Sequence, residues 1–196
     1  MEKHFVNTPI SETTTSKLAL GDIVYVTGDV YTFRGAAHER ALEYIRTGRE
    51  LSFNLKNGVI HHCGPIVKKM DGELKVLVAA PTTSMTIDPY EAEAIEKLGV
   101  RAVIGKGGMG KGTEDAMMRF GCVYLAFTGG CGALAGEAVR KVKDVCWLDL
   151  GPIEAVWVLE VKDFGPMVVA IDAHGNNLYE KVQQRVSNKL SEILGT

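Results

Sequence analysis

The chain has 196 residues, and its 22 Lys and Arg against 24 Asp and Glu give a formal net charge of −2 at pH 7. This length corresponds to about one domain, large enough to form a core without disulfides or metals. The near-neutral charge argues against a protein that holds nucleic acid electrostatically. The sequence shows no secretory signal and no apolar run near the roughly 20 residues that cross a bilayer, so we expect no membrane association.

The four cysteines, at positions 63, 122, 131 and 146, form no C-x-x-C pair and show no zinc-finger spacing. This pattern is typical of reduced thiols in a cytoplasmic protein. We therefore expect a cytoplasmic location and no metal bound by this chain.

The first half of the chain predicts an arm followed by a domain. Residues 1–20 are polar and weakly periodic, so they are interpreted as an N-terminal arm, and residues 21–196 as a single domain. Strands are predicted at 23–27, 58–63 and 74–80, with a helix at 34–46 that ends at a glycine.

The second half alternates strand and helix. Helices are predicted at 88–98, 113–120 and 133–142, with strands at 101–104 and 122–127 between them. Asp88 is expected as the N-cap of the first of these helices, with Pro89 following it. A hairpin across 162–166 and a closing helix at 178–194 complete the chain. The sequence thus predicts an α/β fold, with a mixed sheet and a parallel βαβ core flanked by helices.

The glycine-rich run at 105–113 lies between a predicted strand and a predicted helix. It satisfies G-x-G-x-x-G and nearly satisfies the P-loop, but Gly112 stands where the P-loop needs Ser or Thr. No acid follows at the distance that a ribose-binding site requires. The run favours an anion-binding corner of backbone N–H groups together with Lys106, and a plain glycine turn is the alternative.

Two further stretches are candidates for chemistry. Pro81-Thr82-Thr83-Ser84 places three hydroxyls at the end of a strand, where they can donate to an oxyanion, although Thr and Ser are also ordinary turn residues. Arg34 begins a helix, where a cation opposes the macrodipole, so a role in binding a carboxylate competes with a solvated arginine. His38 is interpreted as helix packing. Only one of the consecutive histidines 61 and 62 is expected to face the core, and neither receives a role.

Several ordered blocks along nearly the whole chain resemble one family. The blocks are Arg34–His38, His62–Pro65, Pro81–Ser84, Gly105–Gly107, Asp149–Trp157 and Asp172–Tyr179. The sequence is similar to the β subunit, or C-terminal domain, of the class I iron–sulfur hydro-lyases, namely class I fumarase and L-tartrate dehydratase. This resemblance implies a swivelling β/β/α domain.

The resemblance also implies a function. The chain would be the β subunit of a two-subunit hydro-lyase, inactive without an α subunit that carries a [4Fe–4S] cluster, and it would hold no cofactor itself. Fumarate hydratase of the tricarboxylic acid cycle is the leading expectation. The alternatives are L-tartrate dehydratase, a related C4-dicarboxylate dehydratase, or a non-catalytic anion-binding subunit. Each of the hydro-lyase interpretations, namely fumarate hydratase, L-tartrate dehydratase and the related dehydratase, implies a hetero-oligomer with the α subunit.

The family's site residues map onto this chain by motif. The resemblance implies that Arg34 and Lys106 bind substrate carboxylates, and that Thr82 lies at the reacting carbons with Thr83 beside it. Thr82 and Lys106 are therefore the catalytic candidates. Two positions depart from the family: Gly35 replaces an Asp, and Thr86 replaces a substrate-binding Arg. Either Lys111 or Arg101 compensates for the lost cation, or the substrate differs.

Overall fold

A computed structural model describes residues 1–195. The main sheet consists of β1 (Lys3–Asn7), β2 (Ile23–Thr32), β3 (Val59–His61), β6 (Ala102–Gly105), β7 (Val123–Ala126), β8 (Val139–Cys146) and β9 (Val156–Ile171). A separate hairpin consists of β4 (Ile66–Met70) and β5 (Glu73–Val78). The helices are α1 (Glu12–Thr15), α2 (Gly35–Arg46), α3 (Asp88–Leu98), α4 (Lys111–Phe120), α5 (Gly132–Glu137) and α6 (Leu178–Leu194).

The main sheet is mixed and closes on itself. Its order is β1-β2-β3-β6-β7-β9-β8, and an additional pairing joins β2 to β9. The first five strands in this order are parallel, whereas β9 runs antiparallel to β7, β8 and β2. Strands β2, β3, β6, β7 and β9 therefore form a barrel-like ring, and the predicted mixed α/β fold with a parallel core is confirmed.

Two apolar cores lie on the two faces of the sheet. Along β6, Ala102 and Ile104 belong to one core and Val103 to the other, as the alternation of side chains in a strand requires. The core with Val103 also contains Ala94 and Met117 of helices α3 and α4, so it lies between sheet and helices. The other core fills the ring. Among residues 1–195, no helix has the length and apolar character needed to cross a bilayer.

The predicted hairpin at 162–166 is wrong, because these residues lie inside the single strand β9. Strand β2 pairs with both halves of β9, with Val24 opposite Met167 and Gly28 opposite Val161. The register shifts twice between these pairs, so the extra residues are accommodated as bulges. A proline is tolerated at such an irregularity.

The predicted helix at 133–142 is wrong in its second half. Helix α5 ends at Glu137, and strand β8 begins at Val139. Val139, Val142 and Val145 lie opposite β9, and the register shifts after each of the first two. Because each bulge adds a residue, the apolar residues recur every three positions, which resembles the helical period.

The N-terminal segment contributes to the sheet. Strand β1 pairs in parallel with β2, with Phe5 opposite Tyr25 and Val6 opposite Val26. The four-residue helix α1 follows, with Ser11 as its N-cap.

Candidate functional site

The candidate residues lie at one end of the parallel strands. Arg34 follows β2, residues 62–64 follow β3, Lys106 follows β6, and Gly129 lies three residues after β7. Because these four strands are adjacent and parallel, the segments share one edge, where α/β sheets place their ligands. We call this edge, including the segment 82–84 that contacts it, the carboxyl rim.

Thr82, Thr83 and Lys106 are brought together by main-chain bonds. The amide of Thr82 donates to the carbonyl oxygen of His62 at 2.6 Å, and Thr83 pairs with Lys106 in an isolated parallel bridge. The side chain of Lys106 extends over Gly129, where Nζ lies 3.3 Å from the position that a β-carbon would take. Thr83 is exposed, whereas Thr82 and Lys106 are half-buried.

Arg34 is oriented by a glutamate that the sequence interpretation missed. Its Nε lies 3.0 Å from Oε1 of Glu154, and Oε2 of the same carboxylate accepts from the amide of Ala36 at 3.1 Å. Glu154 thus places a negative charge at the N-terminus of α2, which lacks an acid because residue 35 is glycine. Nη1 of Arg34 lies 3.0 Å from the position of a β-carbon on Gly64, beside the segment that Thr82 contacts. Membership of Glu154 in the block 149–157 was the available signal.

The predicted anion-binding corner at 105–113 is already filled by the chain itself. The Asp88 carboxylate accepts from the amide of Gly110 at 2.7 Å and from Oγ1 of Thr113 at 2.8 Å. The N-terminus of α4 therefore has a carboxylate of its own. Asp88 is the first residue of α3 rather than its N-cap, which is Ile87.

Neither proposed replacement for the family's arginine is available at the rim. Lys111 forms ion pairs with Glu114 and Asp115. Arg101 precedes β6, so it lies at the opposite end of that strand from Lys106. Thr86 itself donates from Oγ1 to the carbonyl oxygen of Thr83 at 2.7 Å, which tightens the turn that carries Thr83.

A buried cluster of His38, Glu91 and His62 lies beneath the rim. Each of the three is fully buried. Oε2 of Glu91 lies 2.8 Å from Nε2 of His62 and 3.1 Å from Nε2 of His38. The prediction that only one of His61 and His62 faces the core is wrong, since β3 ends at His61 and both rings are buried.

The charge of Glu91 is maintained by its neighbours. Burial raises the pKa of Glu91, but the imidazoles of His62 and His38 lower it by more, so it lies below its usual value. Burial lowers the pKa of His62, although Glu91 opposes this shift. The cluster is thus an ionised carboxylate held between imidazoles.

The same cluster is the candidate metal site within residues 1–195, since its three ligand atoms lie within 4.8 Å of one another. A tetrahedral zinc ion with bonds of 2.0–2.1 Å would separate its ligand atoms by about 3.3 Å. The observed 2.8 and 3.1 Å are shorter. His62 is hydrogen-bonded to Glu91, whereas Nε2 of His38 and Oε1 of Glu91 are buried without a hydrogen-bond partner among the described residues. The two contacts to Oε2 are too short for ligand atoms of a tetrahedral zinc ion.

The cysteines of this chain do not fit a [4Fe–4S] cluster. Cys63 belongs to the core inside the ring, and Cys122 to the core beneath the helices. Burial raises the pKa of the Cys63 thiol to about 12, which disfavours the thiolate that ligates iron. The three cysteine ligands of such a cluster therefore have no counterpart in the part of the chain that the structure describes.

The known proteins to which this chain is similar include dehydratases and a hydratase. The family model "Fumarase C-terminus" matches residues 2–182, and the chain belongs to this family. It is 44% identical over 180 residues to the "Putative L(+)-tartrate dehydratase subunit beta" of Methanocaldococcus jannaschii, covering 91% of this chain and 92% of that protein. It is 40% identical over 192 residues to the "L(+)-tartrate dehydratase subunit beta" of Escherichia coli K12, covering 98% and 94%.

A further relative has a different organisation. The chain is 38% identical over 186 residues to the "Putative fumarate hydratase class I" of Geobacillus stearothermophilus. The match covers 94% of this chain but only 35% of that protein. The unit described here therefore occurs both as a subunit-sized chain and as part of a longer one.

Proposed function

We propose that this chain is the substrate-binding β subunit of a two-subunit dehydratase that acts on a C4 hydroxydicarboxylate, with L-tartrate as the substrate. The observation that carries the proposal is the grouping of Arg34, Thr82, Thr83 and Lys106 on the carboxyl rim. The tartrate dehydratase names of the subunit-sized relatives favour tartrate over the fumarate that the sequence led us to expect. Fumarate hydration is the second candidate, supported by the name of the longer relative.

The rim provides groups that dehydration of a dicarboxylate needs. When a base, expected on the partner subunit, removes a proton next to a carboxylate, negative charge moves onto that carboxylate, and a fixed cation stabilises the charge. Lys106 would take this role, and its main-chain bridge to Thr83 supports the assignment by bringing it next to the Thr82–Thr83 segment. The Thr82 hydroxyl would hydrogen-bond at the reacting carbons. Arg34, held through Nε by Glu154, would bind the second carboxylate.

The partner subunit would supply the group that helps the substrate hydroxyl to leave. This step needs an electrophile, and the resemblance implies a [4Fe–4S] cluster on an α subunit that serves as Lewis acid. The subunit names of the relatives support a partner subunit, and the cluster rests on the resemblance alone. The β chain would then bind and orient the substrate but lack activity alone.

The proposal is tested by co-purifying the chain with its α subunit under anaerobic conditions. L-tartrate, D-tartrate, malate, fumarate and mesaconate are supplied in turn, and formation of the dehydrated or hydrated product is followed. We expect the highest kcat/KM with L-tartrate, which loses water to give oxaloacetate. The isolated β chain at the same concentration is the control and should be inactive.

The outcomes separate the two candidates. A higher kcat/KM for fumarate than for L-tartrate would replace tartrate dehydration with fumarate hydration. Turnover by the isolated β chain would contradict the division of labour between subunits. A complex that acts on none of the five acids would overturn the proposed function.

A further inference from the structure

Glu91 is the point where two parts of the carboxyl rim are joined beneath the surface. It lies in the first turn of α3, and its Oε2 is shared by the Nε2 atoms of His38 and His62. A fully buried carboxylate is unfavourable unless nearby groups compensate its charge, and removing one partner of such a pair is strongly destabilising. The His62 ring is hydrogen-bonded to this carboxylate, and the His38 ring contacts it at 3.1 Å.

On one side, the cluster contacts the segment that carries Arg34. Nδ1 of His38 lies 2.9 Å from the carbonyl oxygen of Arg34, which also accepts from the His38 amide at 2.9 Å. The first turn of α2 is thus tied to Glu91 through the His38 ring.

On the other side, His62 contacts the segments that carry Thr82 and Lys106. The amide of His62 donates to the carbonyl oxygen of Ile104 at 2.8 Å, and Ile104 lies two residues before Lys106. The carbonyl oxygen of His62 accepts from the amide of Thr82. Its Nδ1 lies 2.9 Å from Oγ of Ser84, and the Ser84 amide donates to the carbonyl oxygen of Lys106 at 2.9 Å.

The main chain before Lys106 rests directly on this network. Oγ of Ser84 lies 2.8 Å from the Tyr124 hydroxyl, and a β-carbon at position 105 would lie only 2.0 Å from that Oγ. Gly105 therefore has no room for a side chain, and displacement of Ser84 would move the peptide that leads to Lys106.

Resting on the proposed function, we propose that Glu91 is a positioning residue that fixes the separation of Arg34 from the Thr82–Lys106 pair and thereby selects four-carbon over five-carbon dicarboxylates. Two anchors that grip the two ends of a substrate discriminate length only if their spacing is rigid. A misplacement of about 1 Å reduces rates by roughly 10²-fold. Strands β2, β3 and β6 join the two anchors through the main chain, and Glu91 adds a connection between them through buried side chains.

The test uses Glu91→Gln in the complex with the α subunit, because glutamine keeps the shape and removes the charge. Succinate and glutarate serve as unreactive four- and five-carbon competitors of tartrate turnover. We expect kcat/KM for tartrate to fall by roughly 10- to 100-fold with a raised KM. The preference for succinate over glutarate, measured as the ratio of inhibition constants, should shrink at least about fivefold.

Two variants on the same helix are matched controls. Glu93→Gln removes a partly exposed carboxylate that pairs with Arg46, and it should leave both kcat/KM and the inhibition ratio unchanged. Ile95→Val trims a buried side chain, so it should lower the melting temperature without changing the ratio. An unchanged ratio in Glu91→Gln would overturn the proposal.

Amide hydrogen exchange gives a readout that does not need turnover. In Glu91→Gln, the amides of His38 and Thr82 should both exchange at least about tenfold faster than in the unmodified complex. Ser84→Ala, the milder variant, should speed exchange at Thr82 and leave His38 protected. Unchanged exchange at both amides in Glu91→Gln would overturn the positioning role, whereas a wild-type complex without turnover of any dicarboxylate would overturn the proposed function and the length selection.

Discussion

Two arginines at opposite ends of the parallel strands show how the same side chain serves different purposes. Arg34 lies at the carboxyl rim, where Glu154 binds its Nε and its Nη1 lies beside Gly64. Arg101 lies at the other end and donates to the side chains of Asn57 and Glu12, each at 3.2 Å, and to the carbonyl oxygen of Phe120. Its guanidinium is used to join three segments of the chain.

The contrast separates a fixed anchor from a structural tie. The Arg34 side chain is 31% exposed and that of Arg101 is 19% exposed. A guanidinium has five donors, so one carboxylate leaves Arg34 with donors for a ligand, whereas Arg101 has its nitrogens distributed among internal acceptors. The carboxyl rim therefore combines an arginine fixed by one carboxylate with donors left over for a ligand, and the opposite end does not.

The largest effect is expected at Lys106. Lys106→Ala in the complex should lower kcat by roughly 10²–10³-fold, as for removal of one preorganised charge at a reacting site. The measurement is steady-state turnover of tartrate. Lys111→Ala, which removes an exposed lysine paired with Glu114 and Asp115, is the control and should stay near wild type. Full activity of Lys106→Ala would remove this residue from the site.

Substitution of Arg34 should reduce activity, whereas substitution of Arg101 should reduce stability. Arg34→Ala should raise KM and lower kcat/KM by roughly 10- to 100-fold, because a carboxylate clamp is lost. Arg101→Ala should leave kcat/KM per folded molecule unchanged and lower the free energy of unfolding by about 0.5–1.5 kcal/mol, because part-buried hydrogen bonds to Asn57 and Phe120 are lost. Kinetics and denaturant unfolding of both variants check this. The reverse pattern would refute the contrast between the two ends of the strands.

The fold was largely readable from the sequence, and the two wrongly predicted elements share a physical cause. Helix α6 was predicted with the bounds that it has, since Asn177 and Gly195 punctuate an unbroken helical period. The wrong hairpin and the wrong half of a helix fell on β9 and β8, where bulges change the spacing of apolar residues. A periodicity argument assumes regular strands, so bulged strands mislead it.

Only those site residues that belong to a recognisable motif could be predicted from the sequence. Arg34, Thr82 and Lys106 were proposed from local position and family resemblance, and the topology places them on one rim. Glu91 carried no local signal, and Glu154 carried only its place in the family block 149–157, because their roles arise from pairing with residues 29 or more positions away. Contacts of that kind depend on the tertiary fold.

The two ends of the strands should also respond differently to acid. Burial lowers the pKa of His61, the last residue of β3, to about 4 from the usual 6.5. The unfolded chain therefore binds more protons between pH 6.5 and 4, so stability falls as the pH falls through this range. Asp22, at the start of β2, has its pKa lowered chiefly by the amide of Glu2, so its contribution is lost only below about pH 4.

We expect His61 to cost about 2 kcal/mol of unfolding free energy between pH 7 and pH 5. The measurement is denaturant unfolding at both values, with His61→Gln as the variant that does not titrate. The loss of stability with acidification should be smaller in the variant by this amount. Equal losses in the two proteins would show that the His61 ring does not titrate as proposed.

The smallest effect concerns the charge at the start of α2. A β-carbon on Gly35 would meet nothing within 4 Å, so Gly35→Ala should stabilise the chain by about 0.5–1 kcal/mol through the backbone alone. Gly35→Asp should add nothing further, because Glu154 already places a carboxylate at this helix end. In a Glu154→Gln background, aspartate should exceed alanine by about 0.3–1 kcal/mol.

These four variants show whether an acid at position 35 stabilises α2 independently of Glu154 or only when the Glu154 carboxylate is absent. If aspartate and alanine differ equally in both backgrounds, the charge at position 35 acts independently of Glu154. If the difference appears only in Glu154→Gln, the two carboxylates occupy the same electrostatic position. Glu154 would then compensate for the aspartate that the family has at position 35. The orientation of Arg34 would be maintained by Glu154 instead of that aspartate.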